Sequence, residues 1–179
     1  VAVHAQVGQH LAAWRPGREF ATTASGTVAA GGGALRELSH ELDLVTWLAG
    51  AWRRVCALGG RSGALDLDVD DRWGLLIELD GGAVATVHLD MLDRVGQRRL
   101  TLVGAGVTAA ADLLTGEVRV GADAARHAVD RDGMLRDLHA AVLAGGADAA
   151  GLCDLEQGAA VVRLVDAAER SVAVGGWVP

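Results

Sequence analysis

Between residues 65 and 103 apolar side chains return at every second position through four successive stretches, and no helical period interrupts them. Leu65, Leu67 and Val69 alternate with Asp66, Asp68 and Asp70, and residues 73–79, 84–91 and 98–103 follow, with Asp80, Gly81 and Gly82 as a hairpin turn. A period of two puts one face of each strand on a core and the other on polar surroundings. The turns are too short for parallel crossovers, so these strands form an antiparallel meander. Residues 1–9 read as a further strand, with Val1, Val3, Ala5 and Val7 on one side, and residues 107–113 and 117–120 as two more candidates. The last third changes to helical period, in residues 134–143 and 155–172, the second helix opening after Asp154 as its cap. Strands followed by helices without β–α–β alternation give an α+β class with one open, largely antiparallel sheet.

The chain has 179 residues, room for one domain (1–179) that buries roughly two thirds of its unfolded surface. No repeat, low-complexity tract or linker divides it. With one Phe and no Tyr its core is aliphatic, so each of the five Trp is conspicuous. The excess of Ala, Gly, Val and Arg is that of a GC-rich bacterial gene. A net charge of −7 without a clustered basic surface argues against nucleic acid as partner. No uncharged apolar run of about 18 residues and no signal-like N-terminus is present, so neither a membrane span nor export is expected, and the cytoplasm is the default. Cys56 and Cys153 fit free buried thiols better than a disulfide or a zinc site. The chain contains no lysine, and it begins at Val1, already in a strand, as a piece of a longer protein would.

The run with most chemical content is Gly31, Gly32, Gly33 leading into a helix over residues 34–49. Leu35, Leu38, Leu42, Val45 and Ala49 form its core stripe, and Arg36, Glu37, His40, Asp43 and Trp47 the other face. Glycines at a helix start allow close approach of a ligand and leave the first amides free for an anion or a hydroxyl-rich substrate. His40 lies between Glu37 and Asp43 at helical spacing, and a carboxylate beside an imidazole raises its proton affinity, which suits proton transfer with a hydroxyl. The competing reading is a solvated, charge-paired helix face; Trp47 on that face implies that something covers it.

Other features carry less. Gly104, Gly106 and Ala109 match the permissive dinucleotide fingerprint, but no β–α–β unit surrounds them, so a hairpin turn is expected. Asp66, Asp68 and Asp70 stand about 7 Å apart along a strand, too spread for one cation, and read as a solvated or subunit-facing sheet surface. His4, His10 and His88 have no metal-ligand spacing with any Cys, and no metal site is expected.

The order Val7-Gly8-Gln9, Trp14-Arg15-Pro16, Gly31 to Gly33, then Ser39-His40-Glu41-Leu42-Asp43 with Trp47, Leu48 and Gly50 resembles the C-terminal domain of Gfo/Idh/MocA oxidoreductases. Residues 89–94, Arg98 leading through Gly104 and Gly106, and the paired terminal helices extend the likeness over nearly the whole chain. The resemblance implies an open sheet with helices on one face, of the dihydrodipicolinate-reductase and glyceraldehyde-phosphate-dehydrogenase C-terminal type. It implies a separate N-terminal Rossmann domain that holds NAD or NADP and supplies a catalytic Lys, and neither belongs to this chain. His40 maps onto the family's proton-transfer His and Asp43 onto the Asp three residues later. Glu37 joins their electrostatic setting, with Arg36 where many members have an Asp. Trp14, Arg15, Gly32 and Gly33 become substrate contacts, for a sugar, sugar derivative or cyclic polyol. The free sheet face becomes a homo-oligomer interface, and this chain alone is expected to be inactive. A non-catalytic binding or dimerisation module of the same fold is the alternative, and a cofactor-free hydrolase or lyase lacks a nucleophile or metal set to go with His40.

Overall fold

The computed structural model describes residues 1–14, 16–128, 130–144 and 152–179, and of Arg131 the backbone alone. Eight strands are present among the described residues: β1 (Ala2–Gly8), β2 (Trp52–Gly60), β3 (Arg72–Leu79), β4 (Val84–Asp90), β5 (Gln97–Val103), β6 (Thr108–Asp112), β7 (Glu117–Val120) and β8 (Asp123–Arg126). The helices are α1 (Leu11–Trp14), α2 (Ala34–Glu37), α3 (His40–Ala49), α4 (Arg131–Leu143) and α5 (Leu155–Val174). Short 3-10 turns fill most of residues 20–30.

All eight strands join one sheet in the order β2-β3-β4-β1-β5-β6-β7-β8. The meander is real, but β1 inserts between β4 and β5, parallel to the first and antiparallel to the second. The sheet is therefore open and largely antiparallel, as the alternation predicts. Val3, Ala5 and Val7 of β1, Trp73, Leu75, Ile77 and Leu79 of β3, and Ala85, Val87 and Leu89 of β4 all point to one face and are buried. Leu35, Leu42 and Val45 from α2 and α3, and Leu164, Ala167 and Ala168 from α5, close that face. Each Leu so buried stabilises the fold by about 2 kcal/mol. The opposite face carries His4, Leu58, Leu76, Thr86, His88 and Arg99 toward solvent.

Three local expectations change. Residues 65–69 form bends and no strand. Their carboxylates serve the neighbouring backbone: Asp68 accepts from Val28 N–H at 3.3 Å, and Asp70 accepts from Leu35 N–H at 2.9 Å. These bonds tie the segment to the 3-10 turns and to the start of α2. The place of that strand is taken by β2, paired with β3 and held to α5 by Ala57 N–H donating to Ser171 Oγ at 2.8 Å. Finally, the helix expected over residues 34–49 breaks at Leu38 and Ser39, where the amides of Ser39, Glu41 and Leu42 reach back three residues instead of four.

Gly104 and Gly106 occupy the β5–β6 hairpin, with Gly104 N–H donating to Val107 O at 2.9 Å. α5 opens with a reciprocal cap: Asp154 accepts from Gln157 N–H at 2.7 Å, and the Gln157 side chain accepts from Asp154 N–H at 3.0 Å.

Candidate active site

The break between α2 and α3 makes His40 the first residue of a new helix, where it lines a cavity of about 730 Å³. That size suits a small ligand. His40, Asp43, Thr46 and Trp47 of α3 form one wall, Arg98 of β5 another, and Cys153, Gln157 and Ala160 around the start of α5 the far side. Trp47, 65% exposed, presents its indole there without a covering partner among the described residues.

Beneath His40 lies Glu41, completely buried. Arg98 Nε donates to Glu41 Oε1 at 2.5 Å, and His40 Nε2 stands 3.4 Å from the same oxygen. Glu41 Oε2 has no hydrogen-bond partner among the described residues. A buried carboxylate oxygen without a donor costs about 1–3 kcal/mol. The arrangement couples three ionisable side chains from two elements.

The electrostatics of His40 differ from the spacing argument. Partial burial, and then the Arg98 guanidinium, push its pKa below the ordinary 6.5; Glu41, a hydrogen bond to the Glu37 backbone, and Asp43 only oppose that shift. Carboxylates near the ring therefore do not raise its proton affinity overall, and at neutral pH the imidazole is uncharged. A neutral imidazole can accept a proton, which is what a general base requires.

Asp43 lines the cavity and lies 4.0 Å from Cys153 Sγ. Cys153 is exposed, not buried, and partial desolvation with the charges of Asp43 and Asp154 raises its thiol pKa, so it remains protonated. Glu37 contributes its backbone to His40, while its side chain is not part of the cavity wall. Arg36 turns away to α5, both of its terminal nitrogens donating to the Glu169 carboxylate.

The glycines and Trp14 are placed elsewhere. Gly31, Gly32 and Gly33 N–H donate to Val28 O, Thr27 O and Ser25 O at 2.9, 3.0 and 3.3 Å. Ala34 and Leu35 N–H both donate to Asp70, through its carbonyl and its carboxylate. The first amides of α2 are thus consumed within the protein, contrary to the expectation of free ones. Asp70 also accepts from Trp73 Nε1 at 2.6 Å, so it locks the glycine turn onto β3 and is no part of a solvated acidic strand face. Trp14 packs against the core and donates its indole N–H to Gln9 O at 3.1 Å. Arg15 lies outside the described residues. Of the two glycine runs, one is a hairpin turn and the other has its amides occupied.

The structure brings His40 and Asp43, which spacing singled out, to one cavity, and sets beside them Glu41 and Arg98, which spacing did not single out. A signal for Glu41 was present, since it falls three residues after Leu38 and four before Val45, on the core stripe. Nothing local marks Arg98, which reaches Glu41 across 57 residues of sequence.

An α+β domain with a histidine cavity on the helical side of an open sheet agrees with the sequence comparison. The GFO/IDH/MocA C-terminal domain family matches residues 1–110, and the chain belongs to that family. Among solved structures it is similar to GenD2 from gentamicin A biosynthesis in complex with NAD, at 25% identity and a TM-score of 0.75, covering 99% of this chain and 54% of that one. It also resembles levoglucosan dehydrogenase in complex with NADH and levoglucosan, at 17% identity, TM-score 0.80, and coverage of 99% and 58%. A third likeness is to the WlbA dehydrogenase from Bordetella pertussis with NADH and UDP-GlcNAcA, at 19% identity, TM-score 0.76, and coverage of 99% and 56%. The chain spans little more than half the length of each. No curated protein matches it. No helix among the described residues is long and apolar enough to cross a membrane.

Proposed function

We propose that this chain is the substrate-side domain of an NAD- or NADP-dependent oxidoreductase acting on a sugar, sugar derivative or cyclic polyol, with His40 as its proton-transfer residue. The observation that carries this reading is that His40 lines a ligand-sized cavity together with Asp43 and Arg98, with its pKa pushed down by burial and by Arg98. As substrate is oxidised, His40 takes the proton of the reacting hydroxyl, and in reduction it returns it. Hydride transfer belongs to the nicotinamide, which neither glycine run of this chain is shaped to hold. Asp43 and the Glu37 backbone favour the imidazolium that forms, and Thr46, Trp47 and Gln157 offer hydroxyl, aromatic and amide surfaces to a polyhydroxylated ligand. Gly32 and Gly33 serve this site as scaffold, through the bonds that fix the turn before α2, and Trp14 by bonding back to Gln9 just past the end of β1. Support comes from the relatives that were solved with NAD or NADH and, in two cases, with levoglucosan or UDP-GlcNAcA.

The test uses the full-length protein and a nicotinamide absorbance assay over a panel of sugars and polyols. His40→Ala is expected to lower kcat by about 100-fold or more with intact folding. Turnover as fast as wild type would remove His40 from the chemistry, whereas a wild type inactive on the whole panel would leave a binding or assembly module.

A further inference from the structure

Arg98 and Glu41 meet in a way that a purely structural ion pair need not. The strong form of an arginine–carboxylate contact uses two parallel N–H donors on two oxygens. Arg36 and Glu169 make that form between α2 and α5. Arg98 instead places Nε on Glu41 Oε1, leaves Oε2 without a donor among the described residues, and itself lines the cavity. The carboxylate so held stands against His40 Nε2. The remaining groups around His40 are the Glu37 backbone from α2, Asp43 from its own helix, and the protonated Cys153 thiol ahead of α5.

We propose that Glu41 is the positioning residue of His40: clamped by Arg98, its carboxylate orients the imidazole and compensates the charge when the ring takes up a proton. The proposal rests on His40 being the proton-transfer residue. It adds a buried carboxylate behind the ring and a cation that holds the carboxylate in place. Arg98 limits how strongly Glu41 attracts the proton, so His40 stays free to accept one and free to give it back.

The experiment follows the His40 ring signals by NMR as pH is varied, in the full-length protein without substrate. Glu41→Gln keeps the side chain's size and removes its charge, so His40 is left beside an uncompensated Arg98; its titration midpoint is expected to fall by about one unit. Arg98→Gln is expected to move the midpoint upward by about as much. Arg36→Gln breaks an ion pair between helices but removes no charge that faces His40, and leaves the midpoint in place. In turnover, the acid limb of kcat/KM is expected to follow the NMR midpoint in each variant. An unchanged midpoint in Glu41→Gln, or shifts of the same sign in Glu41→Gln and Arg98→Gln, overturns the proposal. Should Glu41→Gln not fold, Arg98→Gln decides: an upward shift supports the assignment, and no shift or a downward one overturns it. The midpoint is read without turnover, so failure of the Glu41 assignment is distinguishable from failure of the functional reading, which His40→Ala tests.

Discussion

At the scale of single residues, two carboxylates carry more of this structure than their neighbours. Asp70 gathers Leu35 N–H and the Trp73 indole N–H on one oxygen and thereby joins the glycine turn to β3. Asp70→Ala leaves both donors without that acceptor, and the loss expected in urea unfolding is about 2–4 kcal/mol, with Asp70→Asn losing less because its amide oxygen still accepts. His40 carries a pH dependence whose sign follows from its lowered pKa. Below the ordinary value of 6.5 the unfolded chain binds a proton on this ring more readily than the folded one does. The contribution of His40 is therefore complete above that pH and falls as pH drops from there through the folded-state pKa. Unfolding midpoints of wild type and His40→Gln, compared at neutral pH and inside that window, should diverge at neutral pH and converge in acid. Equal pH dependence in the two proteins would remove His40 as its source.

At the scale of elements, the turn into α2 is the most constrained. Gly33 has a φ of 116°, and a Cβ there would overlap the Asp70 carboxylate. The α5 cap is an ordinary one, worth about 1 kcal/mol on Asp154→Ala. Gly33→Ala should cost clearly more, because it strains the backbone and displaces Asp70 together. Similar unfolding midpoints for the two variants would contradict that ranking. The same comparison of elements shows why legibility varied along the chain. β1, β3 and β4 alternate cleanly because one face of each lies against helices. β2 was hidden: only Val55 and Ala57 of its residues are fully buried, two arginines adjoin at its start, and its end is Gly59-Gly60. Gly59 is required where the Trp73 ring packs directly on the strand. β8, the tetrapeptide Asp-Ala-Ala-Arg, is exposed throughout and has no pattern to read. Residues 65–69 show the opposite failure, with a strand's alternation realised as bends in which Asp68 accepts from Val28 N–H.

At the scale of the whole molecule, the sheet buries one face under α2, α3 and α5 and leaves the other open. Leu58, 80% exposed, and Leu76 project from that face beside His4, Thr86 and His88. We propose that this surface is a homo-oligomer interface, which would account for apolar side chains among polar ones on the sheet. Leu58→Asp combined with Leu76→Asp is expected to convert a dimer to monomers in light scattering while the fold is kept. A monomeric wild type, or a variant of unchanged mass, would reject the interface. The amino-acid sequence by itself determined which segments alternate, which carry a helical stripe, and that His40 and Asp43 share a helix, since these depend on spacing along a few residues. Only the tertiary structure decided that β1 slots between β4 and β5, that Asp70 occupies the amides of α2, and that Arg98 holds Glu41 behind His40. Periodicity specifies the face an element buries; which partner fills that face is settled by the collective packing of segments far apart in the chain.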